Sequence, residues 1–164
     1  MKNKLLEMSL KERVDLMAKS EEKYMQMAIK EAKKALREGS RWPFGAVIVK
    51  GNKVIITCHN TVHSSKDPTD HAEINAIREA CRKLNSKDLS GCTLYATCEP
   101  CPMCFTAAWW ANISEIVYGT SLKDASSLGR EMLVSSKFLN KKGGSKIRIR
   151  GGLLKEECIK LYKR

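Results

Sequence analysis

The segment "GAVIVKGNKVIITCH", residues 45–59, constrains the fold more than any other stretch. Two β-branched runs flank Gly51-Asn52, and so short a connection reads as a β-hairpin. "CTLYATC" at 92–98, "SEIVYG" at 114–119 and the alternating "KIRIR" at 146–150 read as three further strands. Helical patterns separate them. Ile74, Ile77, Cys81 and Leu84 recur at steps of three and four, predicting a helix over 71–84. Residues 101–112 set Cys104, Ala107, Ala108 and Ala111 on one side of another. Ser9 with Glu12 has capping-box spacing for a short first helix, and a second is predicted over 21–38, ended by Gly39. Short helices over 121–139, a mobile loop at "NKKGGSK" and a helix in "LLKEECIKLYKR" complete the pattern. Strands separated by helices need crossovers. The expected fold class is therefore α/β, a mixed five-stranded sheet covered by helices on both faces.

No internal repeat or linker interrupts the chain, and 164 residues suit one core. One domain is expected over 1–164, with 1–20 as an N-terminal helical extension. No apolar run approaches the roughly 20 residues that span a bilayer, and the charged start lacks a secretory pattern, so a cytoplasmic protein is expected. The net charge of +12 is uneven. Residues 45–122 hold seven basic and seven acidic side chains, whereas 123–164 hold twelve basic and four acidic. A basic end is either a solvated lysine-rich surface or a footprint for nucleic acid.

Seven cysteines, an odd number, argue against a disulfide scaffold in a reducing compartment. Three of them, Cys98, Cys101 and Cys104, form two overlapping C-x-x-C pairs. Cys101 and Cys104 stand at i and i+3 of a predicted helix start, where both thiols share one face and unpaired N–H groups favour thiolates. Cys98 ends a strand, so it reads as a small buried residue. At the other predicted helix start, "DHAE" at 70–73 offers His71 and Glu73. One His and two Cys make three zinc ligands with a fourth position open to water, the pattern of a catalytic rather than a structural zinc site. The plainer alternatives are a redox C-x-x-C and a Glu73 that merely caps its helix.

The pairing of H-x-E with P-C-x-x-C 28 residues on resembles the zinc-dependent cytidine-deaminase-like superfamily. That resemblance implies a three-layer α/β/α fold, one Zn2+ per chain on His71, Cys101 and Cys104, and Glu73 as proton shuttle. Within the superfamily, "WPFGAVIVK", "DPTDHAE", "WWA" and "KDASSLG" are similar to bacterial guanine deaminases. That similarity implies Asn60, Phe44 and Trp110 as substrate-binding residues and Asp124 as a second catalytic acid. Each has an ordinary alternative: a turn residue for Asn60, core aromatics for Phe44 and Trp110, a helix cap for Asp124. The tail "IRIRGGLLKEECIKLYKR" is more similar to bacterial tRNA adenosine deaminases. The expected function is guanine deamination to xanthine, with tRNA wobble-adenosine deamination as the alternative and a non-catalytic zinc module that binds RNA as a third class. The expected partners are a nucleobase, tRNA in the second reading, and a second subunit in a homodimer.

Overall fold

A computed structural model of the chain describes residues 8–129, 131–144 and 147–163. Helix α1 (Leu10–Arg37) opens on Ser9, whose side chain and that of Glu12 form the expected capping box. The two helices anticipated there are one. Nothing between Arg13 and Glu22 can stop a helix: the stretch has no Gly or Pro, and the Ser20 hydroxyl bonds back to the Leu16 carbonyl instead of capping.

The hairpin follows as β1 (Gly45–Lys50) and β2 (Lys53–His59). Next come the short α2 (Val62–Ser65), α3 (Ala72–Leu84), β3 (Cys92–Cys98), α4 (Pro102–Trp110) and β4 (Glu115–Thr120). The chain then runs through α5 (Leu122–Ala125), a 3-10 turn at Ser126–Leu128, α6 (Ser136–Lys142), β5 (Arg148–Gly151) and α7 (Lys155–Lys160). Parts of several expectations lie outside the described residues: 1–7 of the extension, Arg130 of the segment 121–139, Ser145 and Lys146 of the loop and last strand, and Arg164 of the final helix. The "NKK" expected in a loop closes α6 instead.

The five strands form one mixed sheet in the order β2-β1-β3-β4-β5. The hairpin and the β1/β3 pair are antiparallel, while β3, β4 and β5 run parallel. Alternation along each strand sends side chains to two separate cores. Val47, Val49, Tyr95 and Val117 meet Tyr24, Met25, Ala28 and Ala32 of α1, with Cys158 and Leu161 beside them. Ala46, Ile48, Leu94 and Ile116 meet Ala72, Ala76, Ile77 and Ala80 of α3 and Phe105 and Ala108 of α4. The result is the three-layer arrangement, helices over both faces of a buried sheet.

One close approach depends on the absence of a side chain. A Cβ on Gly45 would lie 2.0 Å from the Ala28 carbonyl oxygen and 2.7 Å from the Ala32 nitrogen. The backbone of α1 therefore rests on that of β1, at the strand end nearest the site. There the Gly45 N–H donates to Thr97 Oγ1 (3.1 Å), and the Thr120 hydroxyl donates to the Thr97 carbonyl (3.0 Å). These bonds tie together the ends of β1, β3 and β4.

Candidate metal centre and active site

Helices α3 and α4 both begin at the carboxyl end of β3, and their first residues face each other. His71 is the N-cap of α3 and Cys101 the N-cap of α4, both in extended backbone conformation, and Pro102 occupies the first turn of α4. Proline suits that position because its missing N–H would have no helical partner. Cys104 follows three residues later, fully buried. The two ligand-bearing helix starts thus point their positive ends into one space.

The donor atoms fit zinc. His71 Nδ1 lies 3.7 Å from Cys101 Sγ and 3.5 Å from Cys104 Sγ, and the two sulfurs are 3.7 Å apart. A tetrahedral zinc, with bonds of about 2.3 Å to sulfur and about 2.0 Å to nitrogen, requires about 3.8 Å between sulfurs and about 3.5 Å between nitrogen and sulfur. All three donors lie within 4.8 Å of one another, and they are the only such cluster of three or more among the described residues. The contact between the two thiols shifts them in opposite directions. Cys101 is brought down to about 4, first by its contact with Cys104, with His71 adding to the effect against burial. Cys104 moves the other way, through the same contact and its burial. Burial opposes a charged His71, but Cys101, Glu73 and Glu131 outweigh it and raise the imidazole.

Glu73 stands at the second position of α3, buried at 7% exposure. The capping-box alternative does not form. Asp70 precedes the N-cap and pairs instead with Arg78 at 2.5 Å, and the N-cap His71 accepts no side-chain capping bond. Burial pushes the Glu73 carboxyl up to about 7, against the pull of His71. A second acid nearby, Glu99, is committed elsewhere: it accepts from the Ser136 N–H at 2.8 Å and anchors the start of α6. Cys98 behaves as a buried thiol. It is 6% exposed, its Sγ lies 3.7 Å from the Ser121 carbonyl oxygen, and burial raises it far above the ordinary thiol range.

The ligands open onto a narrow cleft lined by Phe44, Glu73, Cys98, Leu122 and Glu131. It continues into a cavity of about 360 Å³ between Trp42, Phe44, Asn60, Pro68, Leu128 and Glu131. Larger grooves exist elsewhere on the surface, but none of them touches the ligand cluster. Phe44 is backed by Tyr162, whose ring meets it edge-on at 6.1 Å and whose hydroxyl bonds Thr120 Oγ1 at 2.5 Å. Asn60 is buried at 3% exposure. Its Oδ1 accepts from the Val62 N–H at 3.2 Å.

Of the side chains expected in the site, the structure brings together His71, Glu73, Cys101, Cys104, Phe44 and Asn60 and leaves out two. Trp110 is 72% exposed and sits with Ile77, Lys87 and Asp88 on the outer end of α4, edge-on to Trp109. It follows Cys104 by six residues, about 240° round a helix, so it cannot share the ligand face. Asp124 caps α5, accepting from the Ser121 N–H (2.9 Å) and hydroxyl (2.8 Å), and pairs with Lys155 at 3.2 Å. Those bonds, the backbone one foremost, hold it below the usual carboxylate range. Besides Glu73 and Glu99, which Ser136 engages, the carboxylate lining the cleft is Glu131, raised by burial and by Cys101. Nothing in "GREMLVSS" marks it: it belongs to no periodic element, and it reaches the cleft with Leu128 and Gly129 through tertiary packing alone. Trp42, also on the cavity wall, was passed over although it opens the "WPFGAVIVK" stretch two residues before Phe44.

Known proteins resemble this chain over the stretch that bears the three ligands. The family model for the cytidine and deoxycytidylate deaminase zinc-binding region matches residues 18–120. The chain is 43% identical over 108 residues to the guanine deaminase of Bacillus subtilis (strain 168), a match covering 66% of this chain and 69% of that one. It is 37% identical over 139 residues to the tRNA-specific adenosine deaminase of the same organism, covering 84% of this chain and 83% of that one. A structure from a study of A-to-I editing by tRNA:A34 deaminases superposes with a TM-score of 0.74 at 31% identity, covering 84% of this chain and 97% of that one. The chain therefore belongs to the cytidine and deoxycytidylate deaminase zinc-binding family, as a zinc-dependent deaminase whose metal is held by His71, Cys101 and Cys104.

Proposed function

We propose that this chain hydrolyses the exocyclic C–N bond of a free purine base, converting guanine and water to xanthine and ammonia. The observation that carries the reading is Glu131, which lines the cleft together with Phe44 and His71. Guanine presents two donors on one edge, its ring N1–H and its 2-amino group, and a carboxylate accepts both; adenine offers a bare acceptor at that ring nitrogen. Phe44 and Trp42 supply apolar faces for a flat ring. Asn60 is available to donate to an acceptor on the far edge of the purine.

Zinc at the site supplies a Lewis acid that makes water nucleophilic near neutral pH. Glu73 does the proton work. It accepts the first proton of the attacking water and delivers it to the ring nitrogen beside the attacked carbon; it then takes the second proton from the new hydroxyl group and hands it to the amine, so that the C–N bond breaks with ammonia leaving and a carbonyl left behind. Its burial and its place two residues after a ligand suit a group that must reach both water and base without admitting bulk solvent.

A second reading, deamination of a wobble adenosine in tRNA, draws support from two observations. The curated relatives that cover most of this chain are tRNA adenosine deaminases. A groove of about 530 Å³ between α1 and α7 is lined by Lys30, Lys33, Arg37, Lys160 and Lys163 against a single acid, Glu157. Such a surface suits phosphates. The deciding experiment offers the zinc-loaded protein guanine, adenine, cytosine, their nucleosides and tRNA, and measures ammonia and inosine. Xanthine from guanine is expected. Inosine in tRNA with no turnover of guanine would overturn the first reading. No ammonia from any substrate at full zinc content would overturn both.

A further inference from the structure

One side-chain amide ties the segment that carries Asn60 to the segment that carries His71. Asn75 closes the first turn of α3: its backbone N–H donates to the His71 carbonyl at 2.9 Å. Its side-chain Nδ2 lies 3.2 Å from the His59 carbonyl oxygen, 2.9 Å from Thr61 Oγ1 and 3.3 Å from the Asp70 carbonyl oxygen. Two of those three groups are backbone carbonyls, which only accept, so the amide must present its N–H groups to them. His59 and Thr61 are the two chain neighbours of Asn60, and Asp70 is the neighbour of His71. The segments also bond to each other, the Thr61 N–H donating to the Asp70 carbonyl at 3.0 Å. The Asn60 N–H donates in turn to the Phe44 carbonyl at 3.0 Å, which carries the link on to the wall of the cavity.

We propose that Asn75 is a positioning residue for the deamination: it sets where Asn60 lies relative to the ligand His71, and so where a bound base lies relative to the metal. Asn75 lines neither the cleft nor the cavity, so it acts through those two residues. The base and the attacking water have separate supports, one on residues 44–60 and one on the starts of α3 and α4. A reaction built that way is sensitive to the spacing of its supports, and a misplacement of about 1 Å can cost about 10²-fold in rate. Arg78 supplies the contrast. It grips the same pre-ligand loop through Asp70 Oδ1 (2.5 Å) and Thr69 Oγ1 (3.3 Å), but neither bond reaches residues 59–61. The inference rests on the reading above only in taking Asn60 as a group that holds the base.

The test compares the full zinc-loaded parent with Asn75→Asp, Thr61→Val and Arg78→Met. Asn75→Asp keeps the shape but turns an oxygen toward two carbonyls that have no proton to give; Thr61→Val removes only the 2.9 Å bond. The first arm needs no substrate: amide hydrogen exchange at residue 61, whose N–H bonds the Asp70 carbonyl, followed by NMR. Exchange there should be about tenfold faster in Asn75→Asp, faster also in Thr61→Val, and within about threefold of the parent in Arg78→Met. The second arm measures ammonia release from guanine per bound zinc. In Asn75→Asp kcat should fall about 10- to 100-fold, by more than KM rises, with zinc still bound; Arg78→Met should keep the parent's kcat. A merely structural role would lower Tm and leave kcat per bound zinc unchanged. Unaltered exchange at residue 61 in Asn75→Asp and Thr61→Val, unaltered kcat per zinc in Asn75→Asp, or an equal loss in Arg78→Met would each overturn the proposal. Should Asn75→Asp fail to fold, Thr61→Val decides by the same two measurements. If the parent releases no ammonia from guanine, the substrate reading alone fails, and the exchange arm still decides this one.

Discussion

Replacing Glu73 by Gln tests the proton work assigned to this side chain with little change in shape. Glu73 is 7% exposed at the second position of α3, and Gln fills the same space. What it loses is the ability to take and return a proton. No neighbour can take its place. Glu99 is bound to the Ser136 N–H, and Glu131 is assigned to the substrate rather than to the attacking water. The loss should therefore approach the full value of a positioned acid–base group, about 10²–10⁴ in kcat. At 1.36 kcal/mol per tenfold, that is about 2.7–5.5 kcal/mol of barrier. Zinc should remain at one per chain, because Glu73 is not among the three converging donors. The assay is ammonia release under saturating substrate, with zinc measured on the same sample. If Glu73→Gln retains more than a tenth of the parent rate at full zinc content, the assignment of Glu73 is wrong. If zinc is lost along with activity, Glu73 holds the metal site together and the kinetic loss says nothing about proton transfer.

Two further outcomes rest on other parts of the structure. Glu131→Gln should raise the KM for guanine roughly 10- to 100-fold, the loss of charge-assisted hydrogen bonds of about 1.5–3 kcal/mol. Steady-state kinetics against Asp124→Asn, which alters only a cap and an ion pair with Lys155, separates the two acids; equal KM values in both variants would remove Glu131 from substrate binding. Gly45→Ala places a methyl 2.0 Å from the Ala28 carbonyl and must push α1 off the sheet. Overpacking of this kind costs about 1–3 kcal/mol, or about 2–4 °C of Tm per kcal/mol in a chain of this size, and a thermal melt with no shift would show that α1 yields freely.

How far the site could be read in advance depended on the distance, in sequence and in space, over which each residue acts. Cys101 and Cys104 belong to one helical turn, and His71 and Glu73 to another, so residue type and local spacing were enough to nominate them. Trp110 had a readable local signal that pointed away from the site, since six residues past Cys104 is the far side of the helix. Asp124 was nominated by resemblance, yet Ser121 three residues earlier already fitted a capping box, and that is the structure it adopts. The merged α1 was equally legible: no breaker separates its halves. Glu131 was not legible at all, because it belongs to no periodic element and its place follows from tertiary packing alone.

By itself, then, the sequence determined the order of the strands, most of the helices between them and the chemistry of two helix starts, all through patterns among residues a few positions apart. Only the tertiary structure decided that those two helix starts meet at zinc-ligand distances, and which carboxylate joins them. His71 and Cys101 are 30 residues apart and Glu131 is 30 further on. What brings them together is the order in which β1, β3 and β4 pair and the packing of helices on that sheet. Such long-range pairing arises from burial summed over the whole core, and no local pattern of residues records it.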